Sequence, residues 1–147
     1  MNTNLFRSGL AGFAAAALLA AAPAAFAETQ MYKAALAAAN QVPPNASKGT
    51  GALASTYDTA TKKFTWTVTY SGLSGPVTAA HFHGPAAAGA NAGVVVPQKD
   101  GLASPMKGEA TLTDAQAADL QAGKWYFNIH TEANKGGEIR GQAMKGM

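Results

Sequence analysis

The sequence contains no cysteine. The chain therefore forms no disulfide bonds, and an apolar core alone must hold any folded domain together. The same absence excludes thiolate metal ligands, cysteine nucleophiles and blue-copper sites, because each of these needs a cysteine side chain.

Charged residues are also scarce, at 13% of the chain, and the formal net charge is only +3. The lysines are scattered and form no basic stripe, so we expect no nucleic-acid binding. The sequence also lacks a glycine-rich phosphate loop, a nucleophile elbow and a pair of carboxylates at a recognisable catalytic spacing. No catalytic motif of these familiar kinds is therefore present.

The first 27 residues have the features of a secretory signal peptide. Arg7 supplies the positive charge, residues 10–22 form an apolar stretch too short to span a bilayer, and the Ala-Phe-Ala at 25–27 fits a cleavage site. We therefore expect a single domain in residues 28–147 that is periplasmic or secreted and that has no membrane contact after cleavage. An uncleaved membrane anchor is the alternative.

Strand patterns dominate the rest of the chain. In residues 63–70, Phe64, Trp66, Val68 and Tyr70 alternate with threonines, which predicts a half-buried strand. Further strands are predicted, with turn residues between them, over residues 31–38, 51–57, 77–83, 94–96, 106–112, 124–131 and 138–143.

One short helix is predicted over residues 113–122. Thr113 and Gln116 fit a capping box at its start, and Gly123 can end it. Short strands at regular spacing with a single helix indicate an all-β, antiparallel β-sandwich or barrel.

The chain has only three histidines, and two of them form the His-x-His motif of His81 and His83. On a β-strand, residues i and i+2 point to the same face, with their Cα atoms about 6.5–7 Å apart. Two imidazoles at this spacing can bend toward one metal ion, and His130, in another predicted strand, can supply a third ligand. The alternative is that the histidines are hydrogen-bonded structural residues.

The ligand type narrows the choice of metal. Sites built only from imidazole suit copper and zinc, whereas calcium and magnesium prefer oxygen ligands. Copper(II) binds more tightly than zinc at an equal site, so we expect copper as the cofactor, with zinc as the alternative.

A second dense motif, Gly-Gly-Glu-Ile-Arg-Gly-Gln, occupies residues 136–142. On a strand, Glu138 and Arg140 share one face, so they could form a structural ion pair. They could instead support the metal site, with Glu138 accepting the free N–H of a ligand histidine and Arg140 attracting anions. Asn128, two residues before His130, is a further candidate for such a supporting role.

The sequence resembles the chordin-domain (CHRD) family over about residues 31–143. The matching segments are Asn-Gln-Val-Pro-Pro at 40–44, Gly-Thr-Gly at 49–51, Tyr-Ser-Gly-Leu-Ser-Gly at 70–75, His-Phe-His-Gly-Pro at 81–85, Tyr-Phe-Asn-Ile-His-Thr at 126–131 and Gly-Gly-Glu-Ile-Arg-Gly-Gln at 136–142. The resemblance implies a secreted, immunoglobulin-like β-sandwich. The His-x-His strand is also similar to the copper-ligand strand of Cu/Zn superoxide dismutases, as an analogy of site and architecture.

Two functions therefore remain open. The first is an exported copper protein that acts in binding, storage, delivery or redox protection. The second is a metal-free extracellular protein-interaction module with structural histidines, which the resemblance implies because the animal family members include a growth-factor antagonist. We expect no enzyme activity, although a superoxide dismutase-like copper redox activity is a third, weaker hypothesis.

Overall fold

The computed structural model describes residues 26–146, so nearly all of the predicted signal peptide lies outside the described residues. A short 3₁₀ helix covers Ala38–Asn40 and one α-helix, α1, covers Asp114–Gln121. The strands are β1 (Thr29–Ala37), β2 (Thr50–Asp58), β3 (Lys63–Ser71), β4 (Val77–His83), β5 (Val94–Pro97), β6 (Met106–Thr111), β7 (Tyr126–Thr131), β8 (Ile139–Gln142) and β9 (Met144–Lys145).

All described strands belong to one continuous sheet in which every paired strand is antiparallel. The order along the sheet is β5-β4-β7-β8-β1-β2-β3-β6, and β9 pairs with β1. The prediction of an all-β antiparallel fold is therefore confirmed. The strands form a single sheet that curls back on itself.

The sheet curls around a cluster of aromatic side chains. The rings of Phe64 and Trp66 on β3 each lie 5.1 Å from the ring of Phe82, although β3 and β4 are far apart in the strand order. Phe127, the partner of Phe82 on the neighbouring strand β7, lies 4.8 Å from it. The edge-on contacts of Phe82 with Phe64 and Trp66 join distant strands of the sheet over one core.

A side chain connects the two outermost strands of the sheet. Gln98, directly after β5, accepts a hydrogen bond from Trp66 Nε1 at 2.7 Å and donates one to the carbonyl of Lys107 on β6 at 2.9 Å. Edge strands expose unpaired backbone groups, and this amide satisfies one of them, the Lys107 carbonyl. The sheet is therefore nearly closed.

The helix and the clearest strand agree with the sequence patterns. The α1 helix has the predicted capping box, since Thr113 Oγ1 accepts from Gln116 N while the Gln116 side chain accepts from Thr113 N. Phe64, Trp66 and Val68 are all buried. Among residues 26–146, no helix has both the length and the apolar character needed to cross a membrane.

Candidate metal centre

The structure brings the three histidines of the sequence together on one face of the sheet. His81 and His83 lie on β4 and His130 lies on β7, the neighbouring strand. Each residue offers one ring nitrogen, and these nitrogens all lie within 4.8 Å of one another. Phe82, between the two β4 histidines, points into the core, so the cluster lies on the opposite face.

The hydrogen bonds of two rings fix which nitrogen carries the proton. His83 Nδ1 lies 2.9 Å from the carbonyl oxygen of Ala92, and His130 Nδ1 lies 2.9 Å from that of Lys135. A carbonyl oxygen only accepts, so both Nδ1 atoms donate, and in the neutral rings each Nε2 keeps a free lone pair. Such contacts orient the imidazoles of metal sites.

Unpaired polar atoms are concentrated in this cluster. Among the described residues, four buried side-chain nitrogen or oxygen atoms have no hydrogen-bond partner, and three of them are histidine nitrogens: His81 Nδ1, His83 Nε2 and His130 Nε2. Buried polar groups in folded proteins are normally paired, because an unpaired one costs about 1–3 kcal/mol. The three free nitrogens therefore differ from those of hydrogen-bonded structural histidines.

The surroundings favour the neutral form of the His81 and His83 rings. Burial, followed by the charges of His130 and His83, lowers the pKa of His81 below its ordinary value. Burial also lowers the pKa of His83, with the charges of His130 and Arg140 adding to it and the hydrogen bond to Ala92 opposing it. Neutral imidazoles are the form that binds metal ions.

Tyr126 was not among the predicted site residues, yet it packs directly on the cluster. Its ring stacks on that of His83 with centroids 4.9 Å apart and planes nearly parallel, and the guanidinium carbon of Arg140 lies 3.5 Å from its centroid. Tyr126 alternates with Asn128 and His130 along β7, so strand periodicity could have placed it on this face. The Ala92 and Lys135 carbonyls lie in loops and carry no sequence signal.

Glu138 does not have the predicted contact with a histidine. Its carboxylate accepts hydrogen bonds from Ser47 Oγ at 2.5 Å, from Ser74 N and Oγ at 2.7 and 2.9 Å, and from Thr131 Oγ1 at 2.6 Å. Burial acts to raise its pKa, but these bonds outweigh burial and lower the pKa to about 2. Glu138 therefore ties the loops of Ser47 and Ser74 to β7, the strand that carries His130.

Arg140 and Asn128 face each other across β8 and β7, next to the histidines in the sheet. Arg140 donates to Asn91 Oδ1 and to the Ala90 carbonyl, and no ion pair joins it to Glu138 in the described part of the chain. Asn128 accepts from Gln41 Nε2 at 2.7 Å. The Glu138–Arg140 ion pair, one of the two alternatives from the sequence, is therefore absent there, and Arg140 and Asn128 instead hydrogen-bond to residues of neighbouring loops.

One family model matches most of the chain. The model of the CHRD domain covers residues 32–143, which include all three histidines and the 136–142 motif. The chain belongs to the CHRD domain family. This confirms the resemblance found in the sequence, since both cover nearly the same residues.

No curated protein matches the chain, and no solved structure does either. The geometry of the histidine cluster is therefore the main basis for a functional proposal for this CHRD domain.

Proposed function

We propose that this CHRD domain is an exported copper-binding protein that holds the ion with His81, His83 and His130. The observation that carries the proposal is that the three histidines converge and that each has a buried ring nitrogen with no hydrogen-bond partner among the described residues. A metal ion bound to these nitrogens would remove the cost of leaving them unpaired.

The form of the cluster suits an open three-histidine site. Histidine nitrogens bind copper or zinc at about 2.0–2.1 Å, and nitrogens within 4.8 Å of one another can reach that distance with small side-chain rotations. All three rings are only partly buried, so a fourth ligand such as water could come from solvent. We propose copper because it binds more tightly than zinc at an equal imidazole site.

Export and the finer fold class are part of the same proposal. The 1–27 segment has a signal-peptide pattern, which supports a periplasmic or secreted protein. A two-histidine strand on a curled antiparallel sheet supports an immunoglobulin-like or Cu/Zn superoxide dismutase-like architecture. Copper binding, storage, delivery or redox protection outside the cytosol are the roles consistent with both.

A competition titration with copper(II) and a chelator tests the proposal on protein purified without a histidine tag. We expect one equivalent of copper to bind. We expect His81→Ala to weaken binding by at least about 100-fold, which is more than the loss of a residue that only hydrogen-bonds to a metal ligand causes. Thr78→Ala is the matched control, because Thr78 is exposed on the same strand and forms no part of the cluster.

The outcomes separate the two metals and the interaction-module alternative. Equal and weak copper affinity in the wild type, His81→Ala and Thr78→Ala would contradict the proposal and leave the metal-free module. The same titration with zinc(II) decides the metal, since tighter zinc binding than copper binding would assign zinc. Far-ultraviolet circular dichroism of each variant shows that a lost affinity is not a lost fold.

A further inference from the structure

Arg140 is a buried cation without a carboxylate partner. The residue is 2% exposed, and none of the ion pairs of the described residues includes it. A guanidinium has five N–H donors, and only two are used here, toward Asn91 Oδ1 at 2.8 Å and the Ala90 carbonyl at 2.6 Å. One face of the guanidinium packs on the Tyr126 ring, 3.5 Å from its centroid, and three of the N–H donors in its plane have no partner among the described residues. Buried charges are normally paired with an opposite charge, because removing them from water is costly.

A pocket of about 280 Å³ opens beside this side chain. Its walls are Arg140, the amide side chains of Asn40, Gln41 and Gln142, Ala39, Val42 and the 88–89 turn of the loop that follows β4. This volume has room for a small organic molecule.

The amide side chains give the pocket neutral acceptors. The NH₂ groups of Asn40 and Gln142 donate to backbone carbonyls, and that of Gln41 donates to Asn128. The amide oxygens of these three side chains accept no hydrogen bond from the described residues. The pocket therefore combines a positively charged donor with several uncharged acceptors.

We propose that this pocket binds a small organic carboxylate that also carries a hydroxyl or ammonium donor. The planar fork of a guanidinium matches the two oxygens of a carboxylate. The amide oxygens of the pocket accept hydrogen bonds from the hydroxyl or ammonium group of the ligand. They repel an anion that has no such donor. This binding is independent of the proposed metal ion, so metal-free protein is used to test it.

The direct test is a titration of metal-free protein with three probes, in which NMR chemical shifts of the backbone amides report binding. The titration is done at about pH 8, above the ordinary histidine pKa of about 6.5, so that the histidines stay neutral. We expect glycolate, which has a carboxylate and a hydroxyl, to bind with a dissociation constant on the order of 1 mM. Acetate lacks the hydroxyl and should bind more weakly. Ethylene glycol lacks the carboxylate and should not bind.

Ala88 provides a matched pair of variants because it is exposed and lines the pocket. Ala88→Glu adds a carboxylate to the pocket that Arg140 also lines, where it should compete with the ligand, whereas Ala88→Gln adds nearly the same bulk without the charge. We expect Ala88→Glu to weaken glycolate binding at least about 10-fold and Ala88→Gln to leave it within about 2-fold.

Three results would overturn the proposal. The first is that the chemical shifts of the backbone amides around the pocket do not change at about 50 mM glycolate. The second is that Ala88→Glu binds glycolate as tightly as the wild type does. The third is that ethylene glycol binds as tightly as glycolate. Arg140 would then serve only to tie the 84–93 loop to β8. Equal affinities for glycolate and acetate would contradict the role of the amide oxygens.

Discussion

His83 and His130 resemble each other in how their rings are held. Each donates its Nδ1 proton to a loop carbonyl and leaves Nε2 free toward the other histidines. In His81 the buried nitrogen without a partner is Nδ1 instead. Because loop carbonyls hold two of the three rings, two of the free nitrogens are oriented before any ion arrives, which lowers the cost of binding.

Copper affinity should depend on pH, because protons compete with the metal ion for the histidine nitrogens. The lowered pKa values of His81 and His83 keep these two rings neutral at pH 7. Protons compete for the nitrogens only when the pH falls below the ordinary histidine pKa of about 6.5. We expect a nearly constant affinity between pH 7 and 8 and a steep fall in acid. Competition titrations at several pH values measure this, and an affinity that rises in acid would contradict it.

Glu138→Gln should destabilise the protein at neutral pH by about 3 kcal/mol, because the folded-state pKa of about 2 lies well below the ordinary 4.5. A lowered carboxylate pKa stabilises the fold above pH 4.5, and that stability is lost as the pH falls toward 2. The difference between wild type and variant in urea unfolding should therefore shrink in acid. Ser47→Ala, which removes one of the four bonds, should cost less.

No hydrogen bond or ion pair joins Glu138 to a histidine among the described residues. Glu138→Gln should therefore leave copper affinity within a few-fold wherever the variant is folded. A loss of affinity greater than about 10-fold in folded variant would indicate that Glu138 positions His130 through Thr131.

At the scale of the elements, strand β4 carries two of the ligand candidates and ends against a buried tryptophan. A Cβ on Gly84 would lie 2.5 Å from Cδ1 of Trp125, which is closer than atoms can approach. Trp125 is buried in the core, so it has little room to move. Glycine at this position therefore lets the strand that holds His83 pack closely on the core.

Gly84→Ala should destabilise the metal-free protein by about 1–3 kcal/mol and weaken copper binding, because the strand end must shift. Gly93→Ala is the matched control in the same loop, since a Cβ there meets nothing within 4 Å. Urea unfolding and copper titration of both variants measure the effect. An unchanged unfolding midpoint in Gly84→Ala would show that Trp125 can move aside.

The elements themselves were largely predictable, because alternation and capping are local. Phe64, Trp66 and Val68 alternate with polar residues, and their strand and burial follow from that pattern. The shared face of His81 and His83 was also predictable from their spacing, but spacing alone does not place His130 on the neighbouring strand. The partners of Glu138 and Arg140 were not, since Ser47, Ser74 and Asn91 reach them from loops whose paths depend on the whole sheet.

At the scale of the whole molecule, the near closure of the sheet depends on contacts between residues far apart in sequence. Gln98 connects β5, β3 and β6 through a single amide. No alternation pattern reveals such a contact, which is why the sequence predicted a sandwich or barrel without deciding how the sheet closes.

Gln98→Ala should destabilise the protein by about 1–3 kcal/mol, because the indole N–H of the buried Trp66 loses its acceptor. The unpaired edges should open more often, so hydrogen exchange should quicken in β5 and β6 while β1 and β2 stay protected. Thr111→Ala is an exposed control on β6. If hydrogen exchange quickened equally in all strands, or in none, Gln98 would not be what connects β5 to β6.

The most direct measurement is electron paramagnetic resonance of the copper(II)-loaded protein, because only three histidines can supply imidazole nitrogens. We expect one bound ion with a non-blue spectrum and couplings from three imidazole nitrogens, reduced to two in His81→Ala. A spectrum of free or adventitiously bound copper, with no imidazole coupling and no change in His81→Ala, would contradict the proposed metal centre.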